Sequence, residues 1–171
     1  MPKIARKVIV DKLTDDLGLS IHHLVLHEDL PDDPSTWAKK IEMLTISNQL
    51  YQMIYGDNLM FYHVRLSRNH WLISTYQISQ GKKDDAFESL EKMCYHAVEY
   101  DKAYSHDHGK FYTSIFTDKL TYPELNKDFH ELTEHTECYH ILQKMQHPRY
   151  DRIRKEPRFI AIIEKLNQCA K

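Results

Sequence analysis

Twelve histidines and three cysteines carry the most conspicuous chemistry in this chain, and their spacing decides what that chemistry would be. His23 and His27 stand at i and i+4, the separation that lets two imidazoles on one helix face share a cation. His22 points about 100° away from His23. Glu28 and Asp29 follow closely, but neither is placed to complete a ligand set. His130 and His135 bracket a Glu-containing segment that resembles a zinc-protease helix, yet that chemistry needs the histidines four apart. Here they are five apart and the rings diverge. His135, Cys138 and His140 splay around a helix. No metal and no other cofactor is therefore expected, and the histidines read as surface or half-buried groups that titrate near neutral pH. Cys94, Cys138 and Cys169 are odd in number and widely spaced, which is no disulfide framework. Cys94 and Cys138 suit packing as small apolar groups. With only four glycines, neither a nucleophile elbow nor a Gly-rich phosphate loop is present. A His-dependent metal enzyme is the least favoured reading, and no catalytic residue is assigned.

The elements that must position these side chains are helical. From Ile4 to His27 the apolar residues Val10, Leu13, Leu17, Ile21 and Leu24 step by three and four. Gly18 interrupts this helix at a cost of about 1 kcal/mol relative to alanine. Pro31, Asp33 and Pro34 close it and open a second helix over 35–55, with Asp33 as its expected cap. Trp37, Ile41, Leu44, Tyr51 and Ile54 face inward, and Asn48 breaks that stripe. Gly56 suits a C-terminal stop. A third helix spans roughly 59–80 with Leu66, Ile73 and Tyr76 aligned. A fourth runs over 82–100 with Ala86, Leu90, Met93 and Ala97 inward. The pattern loosens from Asp101 to Asp128, where Ser105 to Gly109 reads as a loop and Phe111 to Phe116 as a short helical turn. Helix returns over 132–146, and short helices open at Pro148 and Pro157.

The few-residue turn at Gly81 forces the third and fourth helices to lie antiparallel. Ser74 and Ala86 are small where such helices cross. The spacing from Gly81 to Ala86 matches the turn of a tetratricopeptide (TPR) unit, although His70, Gln77 and Met93 stand where apolar residues are usual. One helix pair cannot bury its apolar face alone. The expected fold is thus all-α: a single TPR-like domain over 1–171, with two helix pairs in 1–100, an irregular connection over 101–131 and a helical cap over 132–171. In that register Arg68, Trp71 and Thr75 line the concave groove, and Tyr62 and Arg65 extend the strip by a turn. Arginine and tryptophan are favoured interface anchors. These five are the candidate binding residues; Trp71 as plain core is the alternative.

Several segments then look familiar. Leu50 to Asp57, Phe61 to Leu66, the Gly81–Ala86 turn and His96 to Asp101 resemble the C-terminal region of XRE-type (Cro/repressor-type) helix-turn-helix regulators of Firmicutes. Lys110 to Phe116 resembles a K-x-T-S stretch in the same proteins. The tail from His147 to Phe159 resembles one that follows many TPR arrays. The resemblance covers the chain from about Thr36 onward. It implies a TPR-like sensor that binds a peptide or partner protein, or oligomerises. Those regulators begin with a DNA-binding domain that this sequence lacks, so direct nucleic-acid binding is not expected of it. In the tail, Tyr150, Ile153 and Phe159 should pack on the last helices. A phosphate site built from Arg149, Arg152, Arg154 and Arg158 is the sharper alternative.

Bulk properties agree with a binding module. The chain has 171 residues, 42% apolar and 28% charged, with a formal net charge of −2. That is ordinary globular composition without the overall basic field that nucleic acid requires. No secretory leader and no apolar run near the ~20 residues of a membrane span is visible, which makes the cytoplasm the default compartment. Three functions follow in order: a sensor or interaction module binding a peptide or partner protein; a homodimerisation or scaffold domain with no ligand of its own; and the metal enzyme already set last.

Overall fold

The structure, a computed structural model, describes residues 5, 8, 10, 12–26, 33–106, 112–117 and 134–171. Six α-helices make up most of them: α1 Leu17–Leu26, α2 Trp37–Tyr55, α3 His63–Ser79, α4 Lys83–His106, α5 Glu137–Met145 and α6 Pro157–Cys169. Among the described residues there is no strand. A π-helical turn over Lys12–Asp16 leads into α1, and 3-10 turns over Met60–Tyr62 and Pro148–Tyr150 precede α3 and follow α5. The expected helix start at Ile4, His27, the loop at 107–110 and the stretch 118–133 with His130 lie outside the described residues.

Side-chain pairings give the direction of each helix. Asn69 on α3 donates to the Ser47 hydroxyl (3.2 Å) and to Asn48 Oδ1 (2.9 Å), while Tyr62, just before α3, stacks on Tyr51, three residues beyond Asn48 toward the C-terminal end of α2, so α2 and α3 run antiparallel. On the other side of α3, Ser67 donates to the Met93 carbonyl (3.2 Å) and Ser89 to Gln77 Oε1 (2.7 Å), so α3 and α4 are also antiparallel. Gly81 makes this hairpin with φ +76°, a left-handed conformation that glycine adopts without a steric penalty. Ala86 and Ser74 are both fully buried, which lets the two backbones close up.

The last hairpin stacks on this one. Asp101 near the end of α4 accepts hydrogen bonds from the Glu137 and Cys138 amides (2.8 and 2.9 Å), satisfying two of the donors that every helix N-terminus leaves open. Arg158 on α6 reaches Glu91 on α4 (2.8 Å), and Cys94 Sγ lies 4.0 Å from the Ile162 carbonyl. These matched offsets make α6 parallel to α4. Arg68 and Trp71 of α3 meet Glu137 and Lys144 of α5, so α5 is parallel to α3. The core between the two hairpins holds Phe87, Leu90, Met93, Ala97, Ile141 and Phe159.

The inward stripe of α4 lies where its periodicity puts it, with Ala86, Leu90, Met93 and Ala97 at 0% exposure. Other expectations need correction. The π-helical turn before α1 inserts an extra residue and rotates the face that follows. Among the described side chains the buried positions are Val10, Thr14, Gly18 and Val25, while Leu24 is 38% exposed; the side chains of Leu13 and Leu17 lie outside the described ones. Asp33 caps a turn by accepting from the Ser35 amide (2.8 Å), and α2 starts only at Trp37. α4 does not stop at Tyr100 but continues to His106, because Tyr100 is buried against Phe61 and Asp101 holds α5. α5 begins at Glu137, where the Thr136 hydroxyl accepts from the Tyr139 amide (3.3 Å).

Around the start of α3 the core is aromatic. Tyr62 stacks on Tyr55 at 4.0 Å, Tyr55 tilts against Tyr112 at 5.1 Å, and Phe61 meets Tyr62 edge-on at 5.3 Å. Thr14 supplies their polar partner: Tyr55 donates to its hydroxyl (3.3 Å), and Tyr51 to its carbonyl (3.4 Å). The expected turn near Phe116 closes with Thr117 N–H on the Ser114 carbonyl (3.1 Å). In the tail, Tyr150, Ile153 and Phe159 are buried as expected. Arg154 caps α5 by donating to the Met145 carbonyl (3.1 Å) and the Gln146 carbonyl (2.6 Å). Arg158 lies over the Phe87 ring at 4.8 Å. With those two arginines committed to the fold, the tail does not form the phosphate cluster.

Candidate functional site

The face that α1, α3 and α5 share gathers several charged side chains. Arg68 sits at its centre on α3. Its guanidinium forks onto Glu137 with bonds of 3.0 and 2.8 Å. The Glu137 side chain is 2% exposed and that of Arg68 is 27% exposed, so the pair is largely withdrawn from water. Burial opposes the charge on Arg68, but the hydrogen bonds and field of Glu137 outweigh it and raise its pKa. Planar two-point pairing of this kind fixes position as well as charge.

Two cations flank this pair. Arg65, one turn earlier on α3, lines a narrow crevice with Arg68, Asn69 and Ser47, closed from the α1 side by Gly18 and His22. On the α5 side the Lys144 ammonium lies over the Trp71 ring, 4.6 Å from its centroid. Burial and then the Arg68 charge push the Lys144 pKa down. His22 is lowered to about 4, first by burial and then by Arg65, His23, Lys144 and Arg68. His22 is therefore neutral at pH 7 and adds no charge to the wall. Among the described residues the wall thus brings Arg65, Arg68 and Lys144 together near the carboxylate of Glu137.

The structure separates the five sequence-predicted residues into two groups. Arg65, Arg68 and Trp71 are half-buried and stand on this wall. Tyr62 is 1% exposed inside the aromatic stack, and Thr75 is 5% exposed with its hydroxyl donated to the Leu72 carbonyl (2.7 Å). Neither presents a side chain to a guest. They turn inward because α3 is covered by α2, α4 and the Pro148–Tyr150 turn, leaving only a narrow strip open. His22, Glu137 and Lys144 complete the site and were not selected from sequence. His22 had been weighed only as a metal ligand. Glu137 and Lys144 lie some seventy positions from their partners, and no local pattern marks that contact.

Other depressions lie elsewhere among the described residues. Between α2 and α4, over the back of α3, a groove of about 580 Å³ is lined by Asn48, Gln52, His70, Gln77, Lys92 and His96. His63 and His96 share a 2.8 Å Nδ1 to Nδ1 contact, and His70 stacks on His96 at 5.7 Å with the rings 3° from parallel. Burial lowers all three, His63 and His70 to about 4 and His96 to about 3. Asn69 donates to Asn48 Oδ1, so the Asn48 amide group faces His70 Nε2 at 3.3 Å and fixes the proton of His70 on Nδ1. A second groove of about 530 Å³ runs along the outer face of α5 and α6, with Leu142, Phe159, Ile160 and Ile163 in its wall. Among the described residues, no three His, Cys, Asp or Glu side chains group closely enough to hold a metal ion. His135 stacks on Tyr139 at 4.2 Å, and Cys138 is fully buried, so the His135, Cys138 and His140 set does not converge. No described helix is long and apolar enough to cross a membrane.

Comparison with known protein families, with characterised proteins and with solved structures finds no match.

Proposed function

We propose that this chain is a non-catalytic, TPR-like binding or sensor module that holds a peptide or a segment of a partner protein against the α1–α3–α5 wall. The observation that carries the reading is the convergence of Arg65, Arg68, Trp71 and Lys144 from two helices beside His22 from a third. Arginine and tryptophan are the side chains on which interface energy concentrates. The stacking of hairpins supports the TPR-like description: α3 lies parallel to α5, α4 parallel to α6, and each hairpin is antiparallel within itself. Such stacking keeps the first helix of each pair on one side, as a repeat array does. Cysteine chemistry speaks against a thiol nucleophile. Burial raises Cys94 to about 11 and pushes Cys138 higher still, the reverse of activation. The sensor role follows from the resemblance to XRE-type regulators and is part of the proposal.

Selection of a random peptide display library on the purified chain tests this. Selected peptides should bind with a measurable Kd and weaken at least about tenfold on Trp71→Ala, the loss expected of a central anchor. Peptides that bind Trp71→Ala as well as they bind the wild type would remove the wall from consideration. A second reading, a homodimerisation domain without its own ligand, is favoured by the apolar groove on α5 and α6, where Ile160 is 45% exposed.

A further inference from the structure

Cys94, Cys138 and Cys169 are far apart along the chain, yet the fold gathers all three into one layer. Cys94 and Cys138 are buried in the core between the two hairpins, and Cys169 packs half-buried against that core. We infer that Cys138 and Cys169 are a hydroperoxide-sensitive thiol pair that closes into a disulfide across the open end of the α5–α6 hairpin. The pair is independent of what the α1–α3–α5 wall binds. Register decides the pairing. Thr136, which caps α5, donates its amide to the Lys171 carbonyl (3.2 Å), and the Lys171 amide donates to the Thr136 hydroxyl (3.0 Å). Cys138 lies two residues beyond Thr136 and Cys169 two residues before Lys171, so both stand just inside this clasp. α4 gives the same level by a separate route. The Cys94 sulfur lies 4.0 Å from the Ile162 carbonyl of α6. Asp101 is seven residues beyond Cys94, and Cys169 is seven beyond Ile162. Because α4 and α6 are parallel, Asp101 stands level with Cys169, and Asp101 accepts the Cys138 amide at 2.9 Å. Seven helical residues rise about 10.5 Å, which leaves Cys94 too far along the bundle to compete.

The two thiols take different roles because their surroundings differ. Cys169 is the half-buried member, so it is the one that meets the oxidant. Cys138 is 0% exposed, and burial first and then the Asp101 carboxylate beside it hold its thiol protonated. In the first step the Cys169 thiolate attacks one oxygen of hydrogen peroxide. An S–O bond forms, the O–O bond breaks and hydroxide leaves. The sulfur is oxidised to a sulfenic acid and the peroxide is reduced. In the second step the Cys138 sulfur attacks the Cys169 sulfur. The S–S bond forms and the S–O bond breaks. The Cys138 proton passes to Asp101 and on to the departing hydroxide, which leaves as water. Burial raises the Asp101 pKa, which suits that carboxylate to take the proton.

The test treats the full chain with a small molar excess of hydrogen peroxide and then quenches it with catalase. Free thiols are counted, and a non-reduced digest is read by mass spectrometry. The count should fall from three to one, and dithiothreitol should restore all three. The digest should contain a Cys138 peptide bonded to a Cys169 peptide. Cys94→Ser should form the same bond, and Cys169→Ser should leave Cys94 and Cys138 reduced. In Cys138→Ser the reaction should stop at the sulfenic acid, which dimedone traps on Cys169. Thermal melts establish that the variants fold, and Cys138→Ala repeats that arm if serine disturbs the core. Three surviving thiols, a bond that uses Cys94, a bond between two chains, or oxidation of Cys169 without bonding to Cys138 overturns the pair.

Discussion

His63, His70 and His96 form a ladder of imidazoles on the side of α3 opposite the charged wall. His96 is lowered by burial and then by its two neighbours, His63 by burial against a small opposing effect of Glu99, and His70 by burial and Lys92. An unfolded chain would bind protons at these three near the ordinary histidine value of about 6.5. The folded chain binds them only near pH 4 and below. Between those limits the unfolded state holds more protons, so stability rises with pH there. The contribution is complete above about pH 6.5 and is lost as the pH falls toward 4. Thermal melts between pH 7.5 and 4.5 should show a steady fall in Tm, and His96→Gln should make that fall shallower. A Tm unchanged across this range would contradict the buried, neutral ladder. The sequence displayed these histidines only as a count and a set of spacings. Their neutrality comes from burial between α2 and α4, which spacing does not report.

At the scale of elements, two glycines show how local and tertiary rules diverge. Gly81 obeys the local rule. Its φ is +76° and a Cβ there would meet nothing within 4 Å, so Gly81→Ala costs only the backbone strain, about 1 kcal/mol. Gly18 does not obey it. Helix propensity alone says Gly18→Ala should stabilise α1 by about 1 kcal/mol. The added Cβ, however, would fall 2.1 Å from the Tyr51 hydroxyl oxygen. Tyr51 is 2% exposed and stacked on Tyr62, so it has nowhere to go. Overpacking of this kind costs roughly 1–3 kcal/mol and outweighs the propensity gain. Urea unfolding should therefore show both alanine variants less stable than the parent. A more stable Gly18→Ala would mean that α1 and α2 do not approach this closely. The stripe of α1 makes the same point: apolar spacing placed a helix there, but it is Val25 that is buried and Leu24 that is 38% exposed.

For the whole molecule, the open question of assembly rests on the outer face of α5 and α6. The α3–α4 hairpin has an apolar face covered by the α5–α6 hairpin, while this groove keeps Ile160 45% exposed. Light scattering on a sizing column separates the two functional readings. The binding-module reading expects one chain per particle, with Ile160→Arg unchanged in mass and in Tm. The scaffold reading expects a dimer that Ile160→Arg dissociates.

What the sequence determined alone is local in origin. Apolar residues recurring every three or four positions specify helices, Gly81 specifies a hairpin, and the stripe Ala86, Leu90, Met93 and Ala97 specifies which face of α4 turns in. Each is a relation among residues within a few turns, so the chain carries it without reference to distant parts. Tertiary structure decided the rest. Whether a face of α3 is wall or core depends on how many helices cover it, which is why Arg65, Arg68 and Trp71 reach the surface while Tyr62 and Thr75 do not. Glu137 and Lys144 meet that face only because the α5–α6 hairpin stacks on α3 and α4, a contact between residues some seventy positions apart that periodicity has no means of encoding.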